Sequence, residues 1–452
     1  MSVDPWTLLV SKVIFPLQCL AKGHASPRIR AAMERSQWLP RAALEERAAA
    51  TLATFIDSAV REVPYWGRLF AAHGIAAREI REPRDLARLP LLDKPTIRAQ
   101  VESMKRPGAE GLQRSNTGGS SGAPLVFWLG RERVAHDVAA KWRATRWWDV
   151  DIGDREMVVW GSPIEVGAQD RLRGWRDALM RTRLLPAFEM STQKLDRFIA
   201  EIRDFRPRML FGYPSALALI ARHAERSGVR LNGLGIAVVF VTSERLYPHQ
   251  RELISRVFAA PVANGYGGRD AGFIAHECPQ GGLHLTAEDI ILELLDSAGQ
   301  AVPDGCPGEV VVTHLRSGDF PFIRYRTGDI ATRATDPCAC GRGLPLLASV
   351  EGRTTDFVVA ADGTIMHGLA LIYVLRDEQG VEQFRIVQES LVLTRVELVV
   401  NAQWDDVAAA RVVEALKARL GQTVAISLEY HGELASEASG KHRYVMSRVS
   451  PG

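Results

Sequence analysis

A chain of 452 residues has room for two or three domains, at least one with a large core. Hydrophobic residues make up 46% and charged residues 24%, as in an ordinary soluble globular protein. Set against 53 acidic residues, 56 basic ones leave a net charge of only +3, which removes the usual electrostatic motive for nucleic-acid binding.

In chain order, the first apolar stretch is "WTLLVSKVIFPLQCLA", interrupted by Lys12 and Pro16 and too short to span a bilayer. Asp4 stands where a secretion signal needs positive charge. The plain reading is an amphipathic helix packed on the body, with loose membrane-surface contact as the lesser alternative. Five cysteines (Cys19, Cys278, Cys306, Cys338 and Cys340) are too few and too uneven for a disulfide framework, and a reducing cytoplasm suits them.

Residues 27 to 105 read as mostly helical, with a long apolar stripe in "PRAALEERAAATLATFIDSAVREV". A loop rich in glycine and hydroxyl residues follows, "SNTGGSSGAP". Beyond it, short apolar runs ("EMVVWG", "RMLFGY", "GIAVVFVT", "APVANGYG") alternate with helical patterns such as "RERVAHDVAAKWRATRWW" and "SALALIARHAERSG". That alternation predicts an α/β body of helix-covered parallel sheets, with ligands at the carboxyl ends of the strands. From about Asp289, "DIILELLD" and "GEVVVTHL" predict a β-rich part, taken as about 276–350. Four further strand patterns and the helical "DDVAAARVVEALKARLG" predict a small α+β C-terminal unit. The expected division is 1–352 and 353–452, the second part mobile.

The glycine loop is not the P-loop of nucleotide hydrolases, because Ala123 and Pro124 follow Gly122 where lysine and a hydroxyl residue are required. Glycines still let backbone N–H groups converge on an anion, and hydroxyls add donors. A polar surface turn is the bland alternative.

Further along, "NGYGGRDAG" (264–272), "FIRYRTGDI" (322–330), "EGRTTDF" (351–357) and "SGKHRYV" (439–445) follow in a fixed order. Together with the glycine loop, these five segments resemble the signatures of the adenylate-forming, or acyl-CoA synthetase, superfamily. "VPYW", "LPLLDKPTIR" and "HECPQGGLH" are similar to its phenylacetate–CoA ligase branch, most closely to members associated with capsular polysaccharide loci.

The resemblance implies a two-step reaction. A carboxylate attacks the α-phosphorus of ATP, and a thiol, usually of coenzyme A, then displaces AMP. Both steps concentrate negative charge, so positioning and electrostatic neutralisation should carry catalysis. On the matching positions, Ser115, Thr117, Gly118, Ser120, Ser121 and Gly122 would hold phosphates. Asp270, where the family usually has glutamate, would help to hold Mg²⁺, a hard cation that accepts either carboxylate. Its bland alternative is a helix N-cap opening "RDAGFIAH". Ser243, Glu244, Tyr266 and Gly267 would lie on the adenine side. Asp329 would accept from the ribose hydroxyls, unless it serves an Asx turn beside Gly328. Arg353 would complete the ribose and phosphate contacts.

Lys441, a point charge on a flexible stem, would neutralise the carboxylate–phosphate transition state. Thr355 is taken as the hinge, a departure from the charged residue usual there. Trp160, Gly212, Tyr213 and Pro214 would wall the acid pocket. The five arginines in "RLRGWRDALMRTRLLP" would either meet phosphates or form a solvated helix face.

Cys278, His284, Cys338 and Cys340 form a C-x₅-H and a C-x-C pair, a donor set that suits structural zinc, with buried free thiols as the alternative. Resemblance to ligases of this branch with a Cys/His site favours zinc, with His276 and Cys306 as substitute ligands. The expected partners are a small carboxylic acid and coenzyme A. A carrier-protein thiol, an amine or a sugar hydroxyl is the alternative acceptor, a homodimer is compatible, and a non-catalytic nucleotide-binding scaffold is the rival of another class.

Overall fold

In the computed structural model the described residues are 4–117, 125–160, 170–187, 189–351, 357–376, 378–432, 434 and 444–449. The chain starts with helix α1 (Pro5–Leu9), which runs through a wide π turn (Val10–Ile14) into α2 (Phe15–Ala21). Pro16 therefore sits in the first turn of α2, where its missing N–H is tolerated, and the apolar stretch stays helical. Helices α3 (Ser26–Ser36), α4 (Arg41–Glu62), α5 (Pro64–Ala72) and α6 (Lys94–Gln100) follow, as the apolar periodicity predicts. The glycine loop is bracketed by a hairpin, β1 (Gln113–Asn116) and β2 (Val126–Leu129), and leads to α7 (Arg131–Arg146).

An alternating region comes next: β3 (Glu156–Trp160), α8 (Asp170–Leu179), β4 (Thr182–Pro186), β5 (Glu189–Met190), α9 (Thr192–Phe205), β6 (Met209–Gly212), α10 (Pro214–Arg226), β7 (Val238–Thr242), α11 (Pro248–Phe258) and β8 (Val262–Gly268). Strands then dominate: β9 (Gly272–Glu277), β10 (Leu283–Leu285), β11 (Ile290–Leu295), β12 (Pro307–His314), β13 (Tyr325–Arg333) and β14 (Leu346–Val350). The last part holds β15 (Phe357–Val359), β16 (Ile365–His367), α12 (Leu369–Arg376), β17 (Val381–Ser390), β18 (Leu393–Val400), α13 (Asp406–Leu420), β19 (Ala425–Tyr430) and β20 (Val445–Ser447).

One sheet of eleven strands organises the body, in the order β11-β12-β13-β14-β10-β9-β8-β7-β6-β3-β4. From β4 to β8 neighbours run parallel; the central strands β6 and β7 are wholly buried apolar runs, as strands covered on both faces are, whereas the edge strand β4 is mostly exposed. From β8 to β11 they run antiparallel, so the β-rich part continues the same sheet. The α/β architecture and a separate C-terminal domain are as the sequence predicts. In that domain β19-β18-β17-β20 form a sheet with its own core, which includes Leu371, Ile386, Val396 and Leu416. The β15–β16 hairpin pairs with β5 of the body, Ile365 opposite Met190.

Candidate active site

Four adjacent parallel strands end in register. Val159 of β3 lies opposite Gly212 of β6, which lies opposite Val241 of β7, and Thr242 lies opposite Gly265 of β8. The residues one step further, Trp160, Tyr213, Ser243 and Tyr266, therefore line one carboxyl edge, where open α/β sheets bind ligands. Trp160 stacks on Tyr213 with ring centroids 4.4 Å apart, and its Nε1 is buried without a hydrogen-bond partner among the described residues. A Cβ on Gly212 would lie 2.2 Å from the Val159 carbonyl oxygen, so only glycine lets β6 approach β3 this closely. Pro214 and Ser215 open α10.

Strain collects at the same edge. Ser243 has φ 72°, the left-handed region that non-glycine residues rarely adopt. Next to it Glu244 reaches back to α10, where its Oε2 accepts from the Ser215 hydroxyl and from the Ser215 N–H at 3.4 Å. Glu244 thus caps the start of α10 and not that of its own following helix.

The two candidate carboxylates are fixed by a reciprocal pair of tyrosines. The Tyr266 hydroxyl, on β8, donates to Asp329 Oδ2 of β13 at 3.0 Å. The Tyr325 hydroxyl, on β13, donates to Asp270 Oδ2 in the β8–β9 turn at 2.5 Å. β13 supplies Tyr325 and carries Asp329, while β8 supplies Tyr266 and leads into the turn that carries Asp270, so β13 and this turn are tied together by two hydrogen bonds. The N-cap alternative for Asp270 is overturned: "GFIAHE" forms β9, paired antiparallel with β8, because Gly267 and Gly272 close a tight turn. A Cβ on Gly267 would lie 2.3 Å from the Gly272 oxygen. Nor is Asp329 tied up in an Asx turn. Its N–H donates to the Thr327 hydroxyl at 3.1 Å while its carboxylate meets Tyr266.

Beneath the turn, Arg133 of α7 is 1% exposed, and its Nη2 donates to the Asp270 carbonyl at 3.2 Å. Its Nε donates to Asp137 Oδ2 at 2.9 Å. Burial alone would raise the Asp137 carboxyl, but the Arg133 guanidinium and His314 hold it below the ordinary carboxylate range. Burial, reinforced by Arg133, pushes His314 down to about 4, so it is neutral near pH 7. Tyr325, Ser215, Arg133 and Asp137 are site-supporting residues that sequence reading missed. Only the Arg133–Asp137 spacing, i to i+4 on a helix, offered a signal.

Thr117 closes the glycine loop. Its N–H donates to the Leu125 carbonyl and its hydroxyl accepts from the Leu125 N–H, each at 3.1 Å. Ser115 sits on β1 opposite Phe127. Gly118, Ser120, Ser121, Gly122, Arg353, Thr355 and Lys441 lie outside the described residues.

A second cluster joins two glycine turns. The β9–β10 hairpin carries Cys278 and His284, and the loop before β14 carries Cys338 and Cys340; β10 pairs with β14, His284 opposite Leu346. The four ligand atoms all lie within 4.8 Å of one another. Cys278 Sγ is 3.6 Å from Cys338 Sγ, and Cys340 Sγ is 3.2 Å from His284 Nε2. Zinc–sulfur and zinc–nitrogen bonds of ~2.3 and ~2.0 Å span tetrahedral edges of about 3.5 Å, so the set fits. His284 Nδ1 lies 3.4 Å from the Leu344 carbonyl, to which it can donate, leaving the Nε2 lone pair towards the thiols. Burial holds this imidazole down at about 4, in the neutral form a metal needs, and pushes the Cys278 thiol up to about 12. A Cβ on Gly282 would lie 2.6 Å from Cys338 Sγ, so glycine is required beside the cluster. His276 and Cys306, the substitutes, are not part of it.

The fold is shared with a solved CoA ligase. A 2-hydroxyisobutyryl-CoA ligase with 2-HIB-AMP and CoA in the thioesterification state superposes with a TM-score of 0.65, at 20% identity over 92% of this chain and 91% of that one. In its postadenylation state with 2-HIB-AMP the score is 0.62, at 20% identity. Among sequences, the chain is a homologue of protein CapK of Staphylococcus aureus, 23% identical over 81% of each chain. It is likewise a homologue of the phenylacetate–coenzyme A ligase of Thermus thermophilus, 25% identical over 71% of this chain and 73% of that one. Residues 358–448 match the CapK C-terminal domain family.

Proposed function

We propose that the chain is an ATP-dependent, AMP-forming carboxylic acid ligase that activates an acid as its acyl-adenylate and transfers the acyl group to coenzyme A. The observation that carries this reading is the reciprocal tyrosine–carboxylate lock at the carboxyl edge of the sheet, in a fold shared with ligases solved with acyl-adenylate and CoA. The acid's oxygen bonds to the α-phosphorus and pyrophosphate leaves; the thiolate sulfur then bonds to the acyl carbon and AMP leaves.

Asp270, oriented by Tyr325, is the carboxylate that would hold a divalent cation, which neutralises phosphate charge when bound. Asp329, oriented by Tyr266, accepts from the ribose hydroxyls. Ser115, Thr117, Gly118, Ser120, Ser121 and Gly122 receive the phosphates, and Ser243, Glu244 and Gly267 border the adenine. Trp160, Gly212, Tyr213 and Pro214 wall the acid, whose flat or apolar character suits the stacked rings. Lys441 and Arg353, from the 353–452 domain, complete the charge neutralisation, with Thr355 as pivot. The Cys278, His284, Cys338 and Cys340 set holds structural zinc, since four protein ligands leave no open position. Five free cysteines support a reducing, cytoplasmic setting, and among the described residues no helix is long and apolar enough to cross a membrane.

ATP–pyrophosphate exchange across a panel of aliphatic and aromatic acids tests the reading. Exchange is expected with at least one acid, and Lys441→Ala should suppress it by about 10²-fold or more. No exchange with any acid overturns it in favour of a nucleotide-binding scaffold. Exchange without consumption of coenzyme A removes the CoA step and points to a carrier thiol, an amine or a hydroxyl as acceptor.

A further inference from the structure

The N-terminal helix is mounted through a mixed face that includes Thr7, Val10, Ser11 and Cys19. Thr7 and Ser11 are buried against the body, and the Thr7 hydroxyl donates to Asp154 at 2.8 Å. Gly153 packs so closely on Val10 that a Cβ there would lie 2.6 Å from the valine Cβ. Phe15 meets Trp142 edge-on at 5.1 Å. These contacts fix the helix, and they leave its aliphatic side in solvent. Leu9, Val13, Leu17 and Leu20 form a stripe of successive turns, exposed by 42, 46, 60 and 75%, with Leu8 beside it at 45%. Leu179, whose carbonyl accepts from Trp6 Nε1, extends the stripe past the helix start and is itself 38% exposed.

Along the helix segment itself the charge has one sign. From Pro5 to Met33 there is no acidic residue, while Lys12, Lys22 and Arg28 are exposed. Asp4, at the helix start, is ion-paired with Arg181. An exposed aliphatic stripe flanked by cations is the pattern of a helix lying in the headgroup layer of a membrane. A second copy of the chain fits less well. Two such faces would bring the like charges of Lys12 and Lys22 together.

We propose that the Pro5–Ala21 helix docks the protein on an anionic lipid surface, with Leu9, Val13, Leu17 and Leu20 entering the acyl boundary and Lys12 and Lys22 meeting lipid phosphates. The placement suits catalysis elsewhere in the fold. Asp4 and Thr7 border a cleft of about 540 Å³ lined by five arginines and four aspartates, at the residues that precede β3, β4 and β6. The helix thus sits at the amino ends of the parallel strands, and docking through it leaves the carboxyl edge open to substrates.

Co-sedimentation of the full chain with phosphatidylcholine–phosphatidylglycerol vesicles tests this. The protein should sediment with these vesicles and not with pure phosphatidylcholine, and added salt should release it. Leu17→Asp/Leu20→Asp should weaken binding by at least about tenfold, and Lys12→Ala/Lys22→Ala should lower it and flatten its salt dependence, both with unchanged far-UV spectra and pyrophosphate exchange. No binding by the wild type, or equal binding by the leucine variant, overturns the proposal. A wild-type dimer that Leu17→Asp/Leu20→Asp converts to monomer, without vesicle binding, assigns the stripe to a second copy and also overturns it.

Discussion

Replacing Tyr325 by phenylalanine removes one oxygen from the lock and little else. The ring is fully buried and meets Phe322 edge-on at 5.1 Å, a contact that phenylalanine keeps. What is lost is the 2.5 Å hydrogen bond to Asp270 Oδ2, leaving that carboxylate with the Ala271 N–H on its other oxygen, at 3.1 Å. Hydrogen bonds to charged groups contribute about 1.5–3 kcal/mol, and the lower half applies because Asp270 is only partly buried. A loss of about 1.5–2 kcal/mol corresponds to roughly 10- to 30-fold in kcat/KM for pyrophosphate exchange. Because the bond orients a cation-holding carboxylate, the deficit should be largest at limiting Mg²⁺ and shrink as Mg²⁺ is raised. Exchange is measured across a Mg²⁺ titration, alongside thermal melting to show that the fold is intact. A variant within about twofold of wild type at every Mg²⁺ concentration refutes the orienting role, as does a uniform loss with a lowered melting temperature.

Metal analysis should find near-stoichiometric zinc. Cys338→Ser should release it and lower the melting temperature, and Gly282→Ala, whose Cβ would press on Cys338 Sγ, should weaken zinc retention against a chelator by about tenfold or more; a folded, metal-free wild type contradicts both. Gly212→Ala should cost about 1–3 kcal/mol in urea unfolding, because the new Cβ would meet the Val159 backbone at 2.2 Å; an unchanged midpoint counts against the close approach. His314 gives the pH dependence its sign. Its folded value of about 4 lies below the unfolded 6.5, so as pH falls through this window the unfolded chain takes up a proton that the folded one does not. Stability should fall from pH 6.5 to about 4, by up to about 3 kcal/mol from this group, and His314→Gln should flatten that slope in a urea series.

Local chemistry made much of this protein legible before any coordinates. Alternating apolar runs and 3.6-residue stripes specify parallel strands and covering helices, because strand and helix periods arise from neighbouring residues. The segments around Tyr266, Asp329 and Asp270 are picked out by their resemblance to a family's signatures, and the Cys/His set by its donor types together with that resemblance. The helix N-cap at Asp270 was a local alternative of the same kind, and it failed because pairing with β8 outweighed the intrinsic preference of "RDAGFIAH".

The partners of those segments were decided only by the tertiary structure. Tyr325 meets Asp270, and Tyr266 meets Asp329, only because the tertiary fold brings β13 back against β8 and its turn although β14, β10 and β9 lie between them in the sheet, and no spacing along the chain encodes such a meeting. Arg133 is visible as half of a helical ion pair, but its hold on the Asp270 carbonyl depends on how α7 packs under a turn far along the chain. The choice of the inward face of the N-terminal helix is of the same kind. Amphipathicity announces two faces, and the surface against which the helix is pressed chooses which one stays in water.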